Sequence, residues 1–185
     1  MTADMKPGAP VDGGANTLSD LNVRPARRAD ADAIWQMLAP VFRAGDTYAV
    51  DPGIGRDAAL AFWCGGTHRA FVAEAPLRSG GPEVLGSYYL CPNQGGGGAH
   101  VANCGFVTAA RAQGSGVGRA MLADALARAR GCGFLAMQFN FVVATNTRAI
   151  ALWQANGFQV VGRLPGAFRH PTAGLVDALV MYREL

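Results

Sequence analysis

Ile34, Met37, Leu38, Val41 and Phe42 recur at i, i+3, i+4, i+7 and i+8, the spacing of one apolar stripe on a helix. Asp30 and Asp32 precede the stripe, where negative charge suits the positive end of the helix dipole. Pro40 lies within it and predicts a kink or an early end. A second helix is expected over 56–63. Three strands are expected over 68–74, 83–90 and 100–108, separated by the turn Ser79-Gly-Gly-Pro82 and the link Asn93-Gln-Gly-Gly-Gly-Gly98. These short links suit antiparallel pairing. Val117, Met121, Leu122, Leu126 and Ala129 mark a helix over 116–130, followed by an apolar strand over 134–144. Asn146 reads as the N-cap of a helix over 147–155 that Gly157 ends. Strands at 158–163 and 175–182, with a short one at 22–26, complete the order β-α-α-β-β-β-α-β-α-β-β. That order describes a mixed α/β domain of about seven strands and four helices. Residues 1–20 are rich in Gly, Ala, Pro and Asp and read as a flexible leader, which leaves one domain over 21–185.

Composition narrows the function. The net charge of +3 comes from scattered arginines, too little and too dispersed for a nucleic-acid surface. The one cluster, Arg24, Arg27 and Arg28, reads as a solvated approach to the first helix. No apolar run approaches membrane-spanning length. Cys64, Cys91, Cys104 and Cys132 show no metal-ligand spacing, and His68, His100 and His170 are far apart, so no metal is expected and a reducing cytoplasm fits.

The chemistry centres on Gln113-Gly-Ser-Gly-Val-Gly118, between a strand and a helix. Gly114, Gly116 and Gly118 allow close backbone approach, and the helix start presents N–H groups with no intrahelical partner. A pyrophosphate satisfies both those donors and the dipole. Arg119 adds a charge-assisted contact. A P-loop is excluded because no Gly-Lys-Ser/Thr follows, and the dinucleotide fingerprint fails because Arg119 or Met121 stands where its last glycine belongs.

Gln113-x-x-Gly116-x-Gly118 resembles the Gln/Arg-x-x-Gly-x-Gly/Ala signature of GNAT acetyltransferases. One strand later, Asn146-x-x-Ala149-x-x-Leu152-Trp153-x-x-x-Gly157-Phe158 is similar to that family's second landmark. The resemblance implies a single GNAT domain: a mixed, mostly antiparallel sheet with a splay between strands 4 and 5. It implies acetyl-CoA as cofactor, its pantetheine pairing near Phe106, Val107 and Thr108. Its pyrophosphate would lie on Gln113, Gly114, Ser115, Gly116, Val117, Gly118 and Arg119, with Asn146 and Trp153 nearby. Acetyl transfer would be direct, without an acyl-enzyme.

Asn103 and Asn140 interrupt apolar strands, where an amide must find partners. By alternation, both amides face the gap if the strands are splayed neighbours, where they would hold an acceptor for attack. The stretch 103–146 resembles yeast acetyltransferases of proline analogues such as azetidine-2-carboxylate. Those enzymes carry Asn at the positions of Asn103, Asn140 and Asn146, and the resemblance gives the first two to a small imino or amino acid. Many family members carry Tyr as general acid where this chain has Trp153, whose indole N–H delivers no proton; the proline-analogue enzymes also have Trp there. Glu83, Asp124 and Glu184 read as surface charges, and Asp177 as either a buried functional carboxylate or a sheet-edge one. Tyr48, in the loop after the first helix, and Phe168-Arg169-His170, in the loop between the last strands, are candidates for the acceptor pocket. Arg169 is the candidate partner of a substrate carboxylate. The leading expectation is N-acetylation of a small amino- or imino-acid-like amine. Its alternatives are protein amines, polyamines or an antibiotic as acceptors, or a non-catalytic acyl-CoA sensor. Family relatives often dimerise, so a homodimer stays open.

Overall fold

The structure, a computed structural model, describes residues 20–77 and 80–185. The expected leader falls almost wholly outside the described residues, as does Ser79 of the expected turn. The elements are β1 (Asn22–Pro25), α1 (Ala31–Ala44), α2 (Arg56–Cys64), β2 (Arg69–Leu77), β3 (Gly80–Pro92), β4 (Val101–Thr108), α3 (Val117–Gly131), β5 (Ala136–Val143), α4 (Thr147–Ala155), β6 (Gln159–His170) and β7 (Gly174–Glu184). They form one seven-stranded sheet in the order β1-β2-β3-β4-β5-β7-β6. β4 and β5 are parallel neighbours, and the other described pairs are antiparallel.

The helices divide between the two faces. Ser87 and Gly86 are consecutive in β3, so they look to opposite sides. On the Ser87 side, the Trp63 indole of α2 donates to Ser87 Oγ at 2.9 Å, and α1 turns Ile34, Met37, Leu38 and Phe42 into the core. On the Gly86 side lies α3, packed so closely that a Cβ at Gly86 would sit 2.8 Å from the Met121 side chain. Tyr88, on that same side, donates to Asp124 Oδ2 of α3 at 2.5 Å, and Arg128 Nε donates to the same carboxylate oxygen at 2.7 Å. Asp124 is therefore a half-buried tie between helix and sheet, not the surface charge expected from the sequence.

Three further expectations change. Of the kink or early end expected at Pro40, the early end does not occur, because α1 runs through it to Ala44. Pro40 and Gln36 are both exposed, so the carbonyl that loses its partner faces water while the buried stripe keeps the helix seated. The helix ends at Gly45, at φ 64°, whose N–H donates to Phe42 O at 3.1 Å. Arg24 is not solvated. Its guanidinium donates to Asp30 Oδ2 and Oδ1 at 2.7 and 2.9 Å and to Glu74 Oε2 at 2.7 Å, locking β1, the start of α1 and β2 together. Phe168, Arg169 and His170 are strand, not loop, paired with Val176, Leu175 and Gly174. Pro165 and Gly166 imitate a turn signal, but a register shift between Leu164 and Phe168 absorbs them and β6 continues. No helix among the described residues is long and apolar enough to cross a membrane.

Candidate active site

β4 and β5 pair only at Val101↔Ala136 and Ala102↔Met137; beyond those two pairs they diverge. The phase of β3–β4 pairing shows what the divergence uncovers. Ala109 N donates to Leu85 O and Asn93 N to Val101 O, so the odd-numbered residues of β4 bond to β3. Cys104, Phe106 and Thr108 therefore direct their N–H and C=O groups into the wedge.

Two chambers adjoin this edge. The larger, of about 460 Å3, is lined by Phe106, Val107 and Thr108 of β4, by Gln113, Gly114, Gly116, Gly118 and Arg119, and by Asn146 and Trp153. Gly114 and Gly116 adopt φ of 83° and 92°, the left-handed region that side chains disfavour, and so bend the chain into the first turn of α3. No side chain caps α3, leaving its opening N–H groups for whatever lies before them. The Arg148 guanidinium of α4 lies 3.7 Å from where a Cβ on Gly114 would be, and Arg148 lines the same chamber. The donor set is bare amides between two arginines, which fits a diphosphate. Arg148 escaped the sequence reading, although its place two residues after the Asn146 cap puts it at a helix start facing the glycine loop. The side chains of Ser115 and Val117 turn away from both chambers, so what these residues can offer a cofactor is main chain. The Ser115 hydroxyl donates to Ala112 O at 2.6 Å, and Val117 is buried against Gly86.

The smaller chamber, of about 280 Å3, lies at the other end of the wedge and is lined by both Asn103 and Asn140. Asn140 accepts from Gln138 Nε2 at 2.7 Å and donates to Asn93 Oδ1, so its amide is clamped. No side-chain hydrogen bond joins Asn103 to another described residue. Aromatic rings that sequence patterning did not single out, among them Phe62, Tyr89, Phe139 and Phe141, supply the walls. Gly105 makes room for one of them: a Cβ there would lie 2.4 Å from the Tyr89 ring. Among the described residues, no Asp, Glu, Lys, Arg or His lines the chamber. Its titratable groups, Tyr48, Tyr89 and Cys104, are all pushed up by burial and so stay protonated at neutral pH.

Tyr48 lines both chambers, whereas Arg169 lies exposed on β6 and lines neither. Asp177 stands apart too. It accepts from Gly166 N at 3.0 Å and Arg163 at 2.6 Å, which holds its carboxyl below the ordinary value and makes it a β6–β7 tie. Asn146 caps α4, accepting from Ala149 N at 3.1 Å. Trp153 is buried against Phe106 and Phe139, with ring centroids 5.1 and 4.9 Å away.

Chambers that meet over one unpaired strand edge suit a reaction between two molecules, a long phosphorylated carrier and a compact acceptor, and the domain is built for group transfer. Comparison with known proteins identifies the group. Residues 33–158 match the model of the acetyltransferase (GNAT) family. A GCN5-related N-acetyltransferase from Kribbella flavida superposes with a TM-score of 0.83 at 45% identity, over 90% of this chain and 99% of that one. A GNAT superfamily phosphinothricin acetyltransferase from Sinorhizobium meliloti, solved in complex with acetyl-CoA, shares the fold at a TM-score of 0.76 and 21% identity, over 90% of this chain and 89% of that one. N-acetyltransferase aca1 of Schizosaccharomyces pombe is 35% identical over 98 residues, 52% of this chain. The chain spans about half of that relative's length, 47%. The chain belongs to the GNAT acetyltransferase family.

Proposed function

We propose that the protein is an acyltransferase that moves acetyl from acetyl-CoA to the nitrogen of a small amino- or imino-acid-like acceptor. Bound acetyl-CoA supplies an activated thioester. The α3 amides, Arg119 and Arg148 suit its diphosphate, and the edge at Phe106 and Thr108 suits its amide-bearing arm. The observation that carries the acceptor reading is the convergence of Asn103 and Asn140 on one charge-free, aromatic-walled chamber beside that edge. Two neutral amides can orient a compact amine and its carboxylate without the ionised partners a polyamine or aminoglycoside would require. The clamp on Asn140 from Gln138 and Asn93 fixes the direction of its amide before the acceptor arrives. With no carboxylate or imidazole on the chamber wall, the acceptor's ammonium proton leaves through water. The aca1 relative, named as an N-acetyltransferase, supports nitrogen as the attacking atom. Azetidine-2-carboxylate and proline are the acceptors of first choice.

The test is release of free thiol from acetyl-CoA across azetidine-2-carboxylate, proline, primary amino acids, spermidine and a short peptide. Turnover should be highest on the cyclic imino acids. Asn140→Ala should lower kcat/KM for them by about a hundredfold, the worth of one lost positioning contact, while CoA affinity changes less than twofold. Preference for spermidine or the peptide, or a parallel loss of CoA affinity, would refute the assignment.

A further inference from the structure

The Tyr48 hydroxyl makes an unusual pair of bonds. It donates to Phe106 O at 2.8 Å and accepts from Phe106 N at 2.8 Å, so one side chain satisfies both backbone groups of one strand residue. Tyr48 belongs to the loop between α1 and α2, and Phe42 and Trp63 pack edge-on against its ring at 5.6 and 5.9 Å. Phe106 belongs to β4, and the groups Tyr48 holds are among those that β5 leaves uncovered. An unpaired strand edge binds extended, amide-bearing chains by adding them as a further strand. The large and small chambers both include Tyr48 and Phe106 in their walls, so a ligand reaching from the glycine loop to the asparagines passes this point. The pantetheine arm of CoA is such a ligand, with two secondary amides along an extended chain. A phenol that donates once and accepts once offers the bonding capacity of one amide.

We propose that Tyr48 is a built-in competitor for this edge, a placeholder whose hydroxyl gives up Phe106 when the cofactor's arm pairs with β4. The exchange preserves the count of hydrogen bonds on Phe106 and releases the phenol toward the acceptor chamber. Thr47, Ala49 and Val50 line that chamber beside Tyr48, so it takes its working shape only after the cofactor is seated. The proposal depends on CoA as ligand and is independent of which amine is acetylated.

Tyr48→Phe tests it, since the ring that packs on Phe42 and Trp63 is kept and only the competing hydroxyl is lost. By calorimetric titration the variant should bind CoA about threefold to tenfold more tightly than the parent, the worth of a net hydrogen bond no longer displaced. Amide hydrogen exchange gives a second readout. Without CoA, the Phe106 amide should be protected in the parent and fast in Tyr48→Phe; with CoA it should be protected in both. Equal or weaker CoA binding by the variant overturns the proposal, as does equal Phe106 exchange in the two proteins without CoA. Failure of both proteins to bind CoA would overturn the cofactor assignment along with it, which separates that outcome from an error about Tyr48 alone.

Discussion

Replacing Arg148 with alanine should weaken CoA binding about tenfold and leave the fold intact. The guanidinium stands 3.7 Å from the position a Gly114 side chain would take, over the loop that opens α3. No ion pair or hydrogen bond ties it to another described residue, so truncation orphans no partner and thermal stability should stay within about 0.5 kcal/mol. A hydrogen bond to a charged group contributes roughly 1.5–3 kcal/mol. Arg148 is exposed, and screening places its contribution near the lower bound, about 1.4 kcal/mol or tenfold in Kd. Titration calorimetry at low salt measures this directly, and the difference should shrink at roughly 1 M salt, where the screening length falls to about 3 Å. Dephospho-CoA keeps the diphosphate and lacks the 3′-phosphate. If Arg148 acts at the loop, the loss should be the same with either ligand. A loss that vanishes with dephospho-CoA would move Arg148 to the 3′-phosphate, and a change below twofold at low salt would refute its role altogether.

Two further outcomes follow from the packing. Gly86→Ala should cost about 1–3 kcal/mol in urea unfolding, because the new methyl would stand 2.8 Å from the Met121 thioether and 3.0 Å from Val117, and both side chains are buried, with little free space into which to shift; an unchanged midpoint would contradict the close approach. Arg24 holds the Asp30 and Glu74 carboxyls below their ordinary values. Their stabilisation is therefore complete above the unfolded-state values and is lost as pH falls through the lower folded ones. Arg24→Ala should remove about 3 kcal/mol at pH 7 and flatten the acid limb of a stability–pH curve; an acid limb parallel to the parent's would show that the pair contributes nothing there.

The helices were legible because their apolar periods and caps are local. The stripe of α1, the Asn146 cap and the glycines before α3 each act within a few residues of themselves. The two asparagines were legible as anomalies, since amides in apolar strands demand an explanation, and they do converge. What the sequence concealed depends on contacts distant along the chain. Arg24 looked solvated because its partner Glu74 lies 50 residues away. Asp124 looked like a surface charge because Tyr88 reaches it from another element. β6 looked short because Pro165 and Gly166 carry turn chemistry that β7 overrides through ladder bonds and the Asp177 carboxylate. The bonds from Tyr48 to Phe106 leave no trace in periodicity, because they depend on where one strand parts from its neighbour.

The parting of β4 from β5 after two residue pairs also decides what can change there. Main-chain bonds fix the base of the opening, but its breadth rests on the rings of Phe106, Phe139 and Trp153 wedged across it. Those rings can be exchanged for larger or smaller ones without breaking any ladder bond. Acceptor range in this scaffold is thus open to adjustment by single substitutions, while the sheet that carries the chemistry stays as it is.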